Sequence, residues 1–176
     1  NVNLSAPTNA TLNDGLGVGT ILDDDGPPSL SINSVSQSEG NTGTTNFVFT
    51  VTMAGTATEN VTVVVGTSNG TATAGTDYAT FTPATLTFTP GVTARQVTVN
   101  VAGDTFFEGN ETFNVNLSNV AGGGATIATG GGVGVGTINN DDAQPSFSID
   151  DVAKNEGNSG TTAFVFTVTK TGNSEQ

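Results

Sequence analysis

Asn46-Phe47-Val48-Phe49-Thr50-Val51-Thr52-Met53 alternates without a break. Phe47, Phe49, Val51 and Met53 share one side of an extended chain, and Val48, Thr50 and Thr52 the other. Period two means a strand with one face on a core and the other toward water. The same hexad, Phe47 to Thr52, returns as Phe164 to Thr169, 117 residues later. A strand that recurs at a fixed distance predicts a repeated β domain.

The neighbouring sequence keeps the same spacing. Segment 29–33 matches 146–150, 39–45 matches 156–162, and 17–21 matches 134–138, all offset by 117. Segment 1–5 matches 114–118 at an offset of 113, so a loop insertion falls near the triple glycines 122–124 and 130–132. The expected organisation is the C-terminal part of one repeat (1–26), a complete repeat (27–142) and the N-terminal part of a further one (143–176). Gly26-Pro27-Pro28 and Gln144-Pro145 are short, stiff connectors. The chain opens on Asn1 and shows no leader-like segment, as expected of a processed or excerpted piece of a tandem array.

The complete repeat carries further alternating runs between Gly, Asn, Asp and Pro. Val97, Val99 and Val101 share a face, as do Phe113, Val115 and Leu117. With 29–35, 46–53, 61–67, 84–89 and 133–138, this predicts seven strands: an all-β, antiparallel two-sheet sandwich. Abundant Thr and Val favour strand over helix. Tyr78, the only tyrosine, is expected in a loop, packed over the Asp77 carboxylate.

Composition removes several functions. The chain has 176 residues, no Cys, no His, three Lys or Arg and sixteen Asp or Glu, a formal charge of −13. Thiol, Ser-His-Asp and Cys-His catalysis are excluded, as are zinc or copper sites of the usual ligands. Three cations cannot neutralise a nucleic-acid backbone or grip an anionic membrane, so neither partner is expected. No apolar stretch is long enough for membrane insertion in this segment.

The acids avoid the strand centres. Glu39 follows the first strand, Asp77 lies before the fourth, and Asp104, Glu108 and Glu111 fall between the fifth and sixth. Asp141 and Asp142 follow the last strand, after Asn140. In a sandwich such loops share one end. Seven carboxylates there cannot all stay ionised without a counter-cation, and no Lys or Arg is near these segments. Hard divalent ions suit carboxylate and carbonyl oxygens, with Ca²⁺ ahead of Mg²⁺ because it accepts flexible, higher coordination. Eleven of the sixteen acids fall at these positions or at their equivalents Asp23, Asp24, Asp25 and Glu156 in the flanking copies, so the pattern recurs rather than scatters.

These residues resemble the Calx-beta family. The matching stretches are Val35-Ser36-Gln37-Ser38-Glu39-Gly40, Gly70 through Tyr78, Leu86-Thr87-Phe88-Thr89-Pro90-Gly91, Gly103 through Phe113, and Gly134-Val135-Gly136-Thr137-Ile138 before an acidic cluster. They occur in family order across 27–142. The resemblance implies a seven-stranded immunoglobulin-like sandwich with Ca²⁺ at one end. It implies ligands at Glu39, Asp77, Asp104, Glu108, Glu111, Asp141 and Asp142, with the carbonyl of Phe106 as a backbone ligand. Two departures stand out. Gly103 replaces a further Asp, and Asn140 replaces the first Asp of a terminal triplet that the N-terminal copy keeps as Asp23-Asp24-Asp25. Both imply fewer ions or weaker binding in the middle copy.

The function expected is a calcium-binding structural repeat that rigidifies a tandem array in a large, adhesin-like protein, extracellular or on the surface of a bacterial cell. Its partners are calcium ions and adjacent repeats. The competing reading is a self-assembling subunit of an extracellular filament or tubule, which adds homopolymeric self-association. Enzyme activity is not expected. A carboxylate-pair glycosidase would have no Trp and one Tyr to stack on sugar.

Overall fold

The computed structural model describes residues 1–22 and 24–174. Its strands, in chain order, are β1 Val2–Asn3, β2 Leu16–Gly17, β3 Ser29–Ile32, β4 Val35–Ser38, β5 Thr44–Ala54, β6 Val61–Asn69, β7 Ala84–Phe88 and β8 Ala94–Ala102. They continue as β9 Phe106–Phe107, β10 Glu111–Ala121, β11 Thr126–Ile127, β12 Val133–Asn139, β13 Ser146–Ile149, β14 Val168–Thr171 and β15 Asn173–Ser174. The described residues hold no helix long and apolar enough to cross a membrane.

The alternation read from the sequence builds two facing sheets. One runs β4-β12-β10-β6-β7 and the other β11-β3-β5-β8. Phe47, Phe49 and Val51 of β5, Val97, Val99 and Val101 of β8, and Phe113 and Val115 of β10 are all buried between them. The even-numbered residues between them face outward, as period two requires. Phe113 sits at the centre, with ring centroids 5.9 Å from Phe47 and 5.9 Å from Phe49.

The first strand differs from the sequence expectation. Segment 29–35 is not one strand but two. β3 pairs antiparallel with β5 in one sheet, and β4 crosses to pair parallel with β12 in the other. The crossing is held by the Asn33 and Ser34 side chains. Asn33 Oδ1 accepts from Thr50 N at 2.6 Å, and Ser34 Oγ accepts from Val135 N at 3.0 Å. Such short polar side chains compete with the ladder for backbone donors and so turn the chain. A second edge pairing, β11 with β3, is also parallel, so the two sheets are antiparallel except at these two edges, one in each sheet.

Tyr78 is a second correction. It is 1 % exposed and stacks on Phe113 at 4.5 Å, so it belongs to the core rather than lying over Asp77. Its hydroxyl donates to Asn69 Oδ1 at 2.7 Å, which satisfies the polar tip. Burial pushes the phenol pKa up, a Thr67 hydrogen bond opposes this, and Asp77 adds to the rise. The glycine at 136 is required by the same centre. A Cβ there would lie 2.4 Å from the Phe113 ring on the paired strand.

The flanking segments repeat local registers of the complete unit. β13 pairs with β14 as β3 pairs with β5, and β1 pairs with β2 as β10 pairs with β12. Of the 164–169 run in the C-terminal segment only Val168 and Thr169 lie in a strand, β14. The equivalent first half of β5 is paired by β8, whereas among the described residues no strand pairs with 161–167. Phe147 and Ile149 are accordingly 72 % and 64 % exposed, against 0 % and 8 % for their equivalents Leu30 and Ile32.

Candidate metal centre

The β3-to-β4 crossing determines where Glu39 goes. Because β4 runs parallel to β12 in register through Ser38 and Asn139, both strands end at the same level. Glu39 therefore emerges beside Asp141 and Asp142. One carboxylate oxygen from each of the three lies within 4.8 Å of the others. Glu39 is 2 % exposed, and its backbone carbonyl is held by the Thr45 hydroxyl. Gly40, at φ +84°, then turns the chain back into β5.

A third strand end brings the loop 104–110. Asp104 Oδ1 accepts from Phe106 N at 2.7 Å, a local turn that aims the loop across the site. Asn140 bolts this loop to the end of β12. Its Oδ1 accepts from Glu108 N at 3.2 Å, its Nδ2 donates to the Asp142 carbonyl at 3.1 Å, and its own N–H donates to Asn110 Oδ1 at 3.1 Å. An Asp could not supply the Nδ2 donor, so the Asn at this position has a structural use of its own.

The electrostatics are those of a cation site. Glu39 has its pKa pushed from 4.5 to about 7, first by burial, then by Asp104, Asp141 and Asp142. A side-chain hydrogen bond with Glu108 opposes that rise. A hydrogen bond between two carboxyl groups needs a proton on one of them. Asp142 is also pushed up, by burial first and then by Asp141 and Asp104. Among the described residues Glu39 Oε1 and Asp142 Oδ2 are buried with no hydrogen-bond partner. Every charge acting on Glu39 is negative. Arg95 and Lys154 instead donate to the carbonyls of Thr87 and Ala163. Buried carboxylate oxygens without donors and without a basic partner fit a hard divalent ion, of which Ca²⁺ tolerates such an irregular donor set best.

The sequence-predicted ligands distribute unevenly. Glu39, Asp104, Glu108, Asp141 and Asp142 converge at one end of the sandwich. Glu111 opens β10 opposite Ile138, with Oε2 buried. Asp77 is tied to that end by its backbone, its carbonyl accepting from Ala102 N at 2.8 Å. Its Oδ2 closes its own loop by accepting from Thr73 N at 2.6 Å. Phe106 lies in β9, within the same acidic loop. Asp24, Asp25 and Glu156 are exposed at the two flanking segments, and Asp23 lies outside the described residues.

Two features were not visible in the sequence. Asn69 Oδ1 accepts from both Tyr78 Oη and Ala74 N and so shapes the 70–78 loop. Gly103 is sterically required, because a Cβ there would lie 2.2 Å from the Gly40 carbonyl oxygen and 2.9 Å from that of Glu39. The backbone around Glu39 thus fills the space that a side chain at 103 would occupy.

Known proteins are similar to this chain in sequence and fold. The sequence profile described as the Calx-beta domain matches residues 23–144. Sodium/calcium exchanger 1 of Canis lupus familiaris is 46% identical over 66 residues, which is 38% of this chain and 7% of the exchanger. The match therefore covers a small part of that relative. The crystal structure of the apo-form Calx CBD1 domain aligns with a TM-score of 0.59 at 26% identity, over 66% of this chain and 100% of that one. The calcium binding domain CBD12 of CALX1.1 aligns at 0.58 and 27% identity, over 69% of this chain and 50% of that one.

Proposed function

Because the chain belongs to the Calx-beta domain family, we propose that its complete repeat binds calcium at the Glu39, Asp141 and Asp142 cluster. Asp104 and Glu108 close the site from the neighbouring loop. The observation that carries this reading is Glu39, a carboxylate 2 % exposed whose pKa is pushed up to about 7 by burial and by other acids. Ca²⁺ supplies the positive charge that this cluster lacks. The chain's own residues hold the geometry: Asn140 bolts the loop, Thr45 fixes the Glu39 backbone, and Asp104 shapes the turn.

The ion serves structure rather than chemistry. Asp141 and Asp142 stand two and one residues before Ala143, where the connector to the next repeat begins. Holding them ties the end of one sandwich to the start of the next. Extracellular modules bind calcium at about 10⁻⁴–10⁻³ M. At about 100-fold excess over Kd, one site adds about 2.7 kcal/mol to stability. We read the parent protein as a rod of such repeats, adhesin-like and at the cell surface. Calorimetric titration of the full chain with calcium tests the site. Saturable binding that is lost on Glu39→Gln supports it, and no heat up to millimolar calcium overturns it.

A further inference from the structure

The turn that forms the joint between repeats occurs twice in this chain, and among the described residues a strand pairs beside only one of the two. At the C-terminal joint, β9 of the acid-bearing loop pairs in parallel with β15, with Phe106 opposite Asn173 and Phe107 opposite Ser174. At the 117-residue offset, Asn173 and Ser174 correspond to Thr56 and Ala57. Among the described residues no strand pairs with Thr56 and Ala57. They border an open groove of about 370 Å³ with Pro27, Pro28, Thr58 and Gly123, and Asp25 stands on its rim.

The two joints share their construction. Gly55 has φ +85° and Gly172 φ +86°. A Cβ on Gly55 would lie 3.2 Å from Pro28 Cα, and one on Gly172 would lie 3.2 Å from Pro145 Cα. The turn and the proline that shape the acceptor edge are therefore the same in both copies. The rim residue Asp25 is the equivalent of Asp142, which in the complete repeat stands beside Asp104 of the donor loop.

We propose that the groove at Thr56, Ala57 and Thr58 is a docking site for the Asp104-Thr105-Phe106-Phe107-Glu108 loop of a second copy of the repeat, joined by parallel strand pairing. Each repeat then carries a donor at one end, on the calcium-site loop, and an acceptor at the other. Main-chain pairing supplies the contact, and the glycine–proline turn sets the register. This inference rests on the tandem-repeat reading but not on calcium, and the test separates them.

The probe is a synthetic peptide of sequence 103–109 with Asp104→Asn and Glu108→Gln, so that docking needs no counter-ion. Amide chemical shifts of the full chain are followed by NMR as peptide is added in the presence of chelator. The expected result is saturable shifts at Asp25, Gly26, Thr56, Ala57, Thr58 and Gly123, together with shifts at 173–174 as the peptide competes with β9. A scrambled peptide produces neither. Thr56→Pro, which removes one backbone donor on an exposed turn, abolishes the groove shifts and leaves those at 173–174. Shifts confined to 173–174 in the unaltered chain, or none at millimolar peptide, overturn the proposal. Neither result bears on calcium binding, which calorimetry reads separately.

Discussion

Replacing Glu39 by Gln reverses sign between the calcium-free and calcium-loaded protein. Glu39 titrates at about 7 in the fold, against 4.5 when unperturbed, chiefly because it is buried. The folded state therefore keeps a proton between these values that the unfolded chain has lost. Stability contributed by the protonated form is whole below about pH 4.5, declines as pH rises toward 7, and is gone above it. The shift corresponds to about 3–4 kcal/mol at most, and solvent screening from the exposed side, where Asp141 lies, brings it to about 2 kcal/mol. Gln has nearly the same shape, carries no charge, and can donate to the surrounding carboxylates. In chelator at pH 8, Glu39→Gln is expected to raise stability by about 2 kcal/mol, roughly 5–10 °C in Tm for a domain of this size. At pH 4.5 the two proteins are expected to agree closely. In saturating calcium the order inverts, because the variant forfeits about 2.7 kcal/mol of linked binding energy per site. Urea and thermal unfolding at both pH values, with and without calcium, read all four conditions. A calcium-free variant that is less stable than the parent at pH 8 would refute the reasoning.

Further expectations follow from the same geometry. Calcium affinity should fall about tenfold between pH 8 and pH 6, because protons compete for Glu39 below its folded pKa of about 7; calorimetry at several pH values checks this. Gly103→Asp should not restore a tighter site. It should cost about 2 kcal/mol or more in chemical unfolding, since its Cβ meets the Gly40 carbonyl oxygen at 2.2 Å. Tyr78→Phe should cost about 1 kcal/mol, the worth of its buried hydroxyl bond to Asn69. Calcium binding in that variant should be unchanged, as titration can confirm.

Much of the sandwich was legible because strand alternation is a local signal. The residues of 46–53 at one parity, and those at 97, 99 and 101, are buried as their spacing predicts. The break in 29–35 was not legible. Leu30 and Ile32 alternate correctly, but Asn33 and Ser34 turn the chain only because Thr50 and Val135, distant in sequence, present donors there. Tyr78 departs from its expected loop position for a similar reason. Its neighbour in sequence is Asp77, whereas its neighbour in space is the Phe113 ring, 35 residues away.

The sequence by itself determined that the chain repeats, that it is built of strands, and that its acids gather in loops. It also showed that no basic residue accompanies those of the complete repeat. These are matters of periodicity and composition, which each segment carries alone. Only the tertiary structure decided which acids meet. Glu39, Asp141 and Asp142 share a site because β4 crosses between sheets and ends level with β12. That crossing also buries Glu39, and burial among like charges raises the cost of ionisation that a bound cation would relieve. Sequence can place a carboxylate in a loop, but its desolvation depends on what the rest of the chain stacks around it.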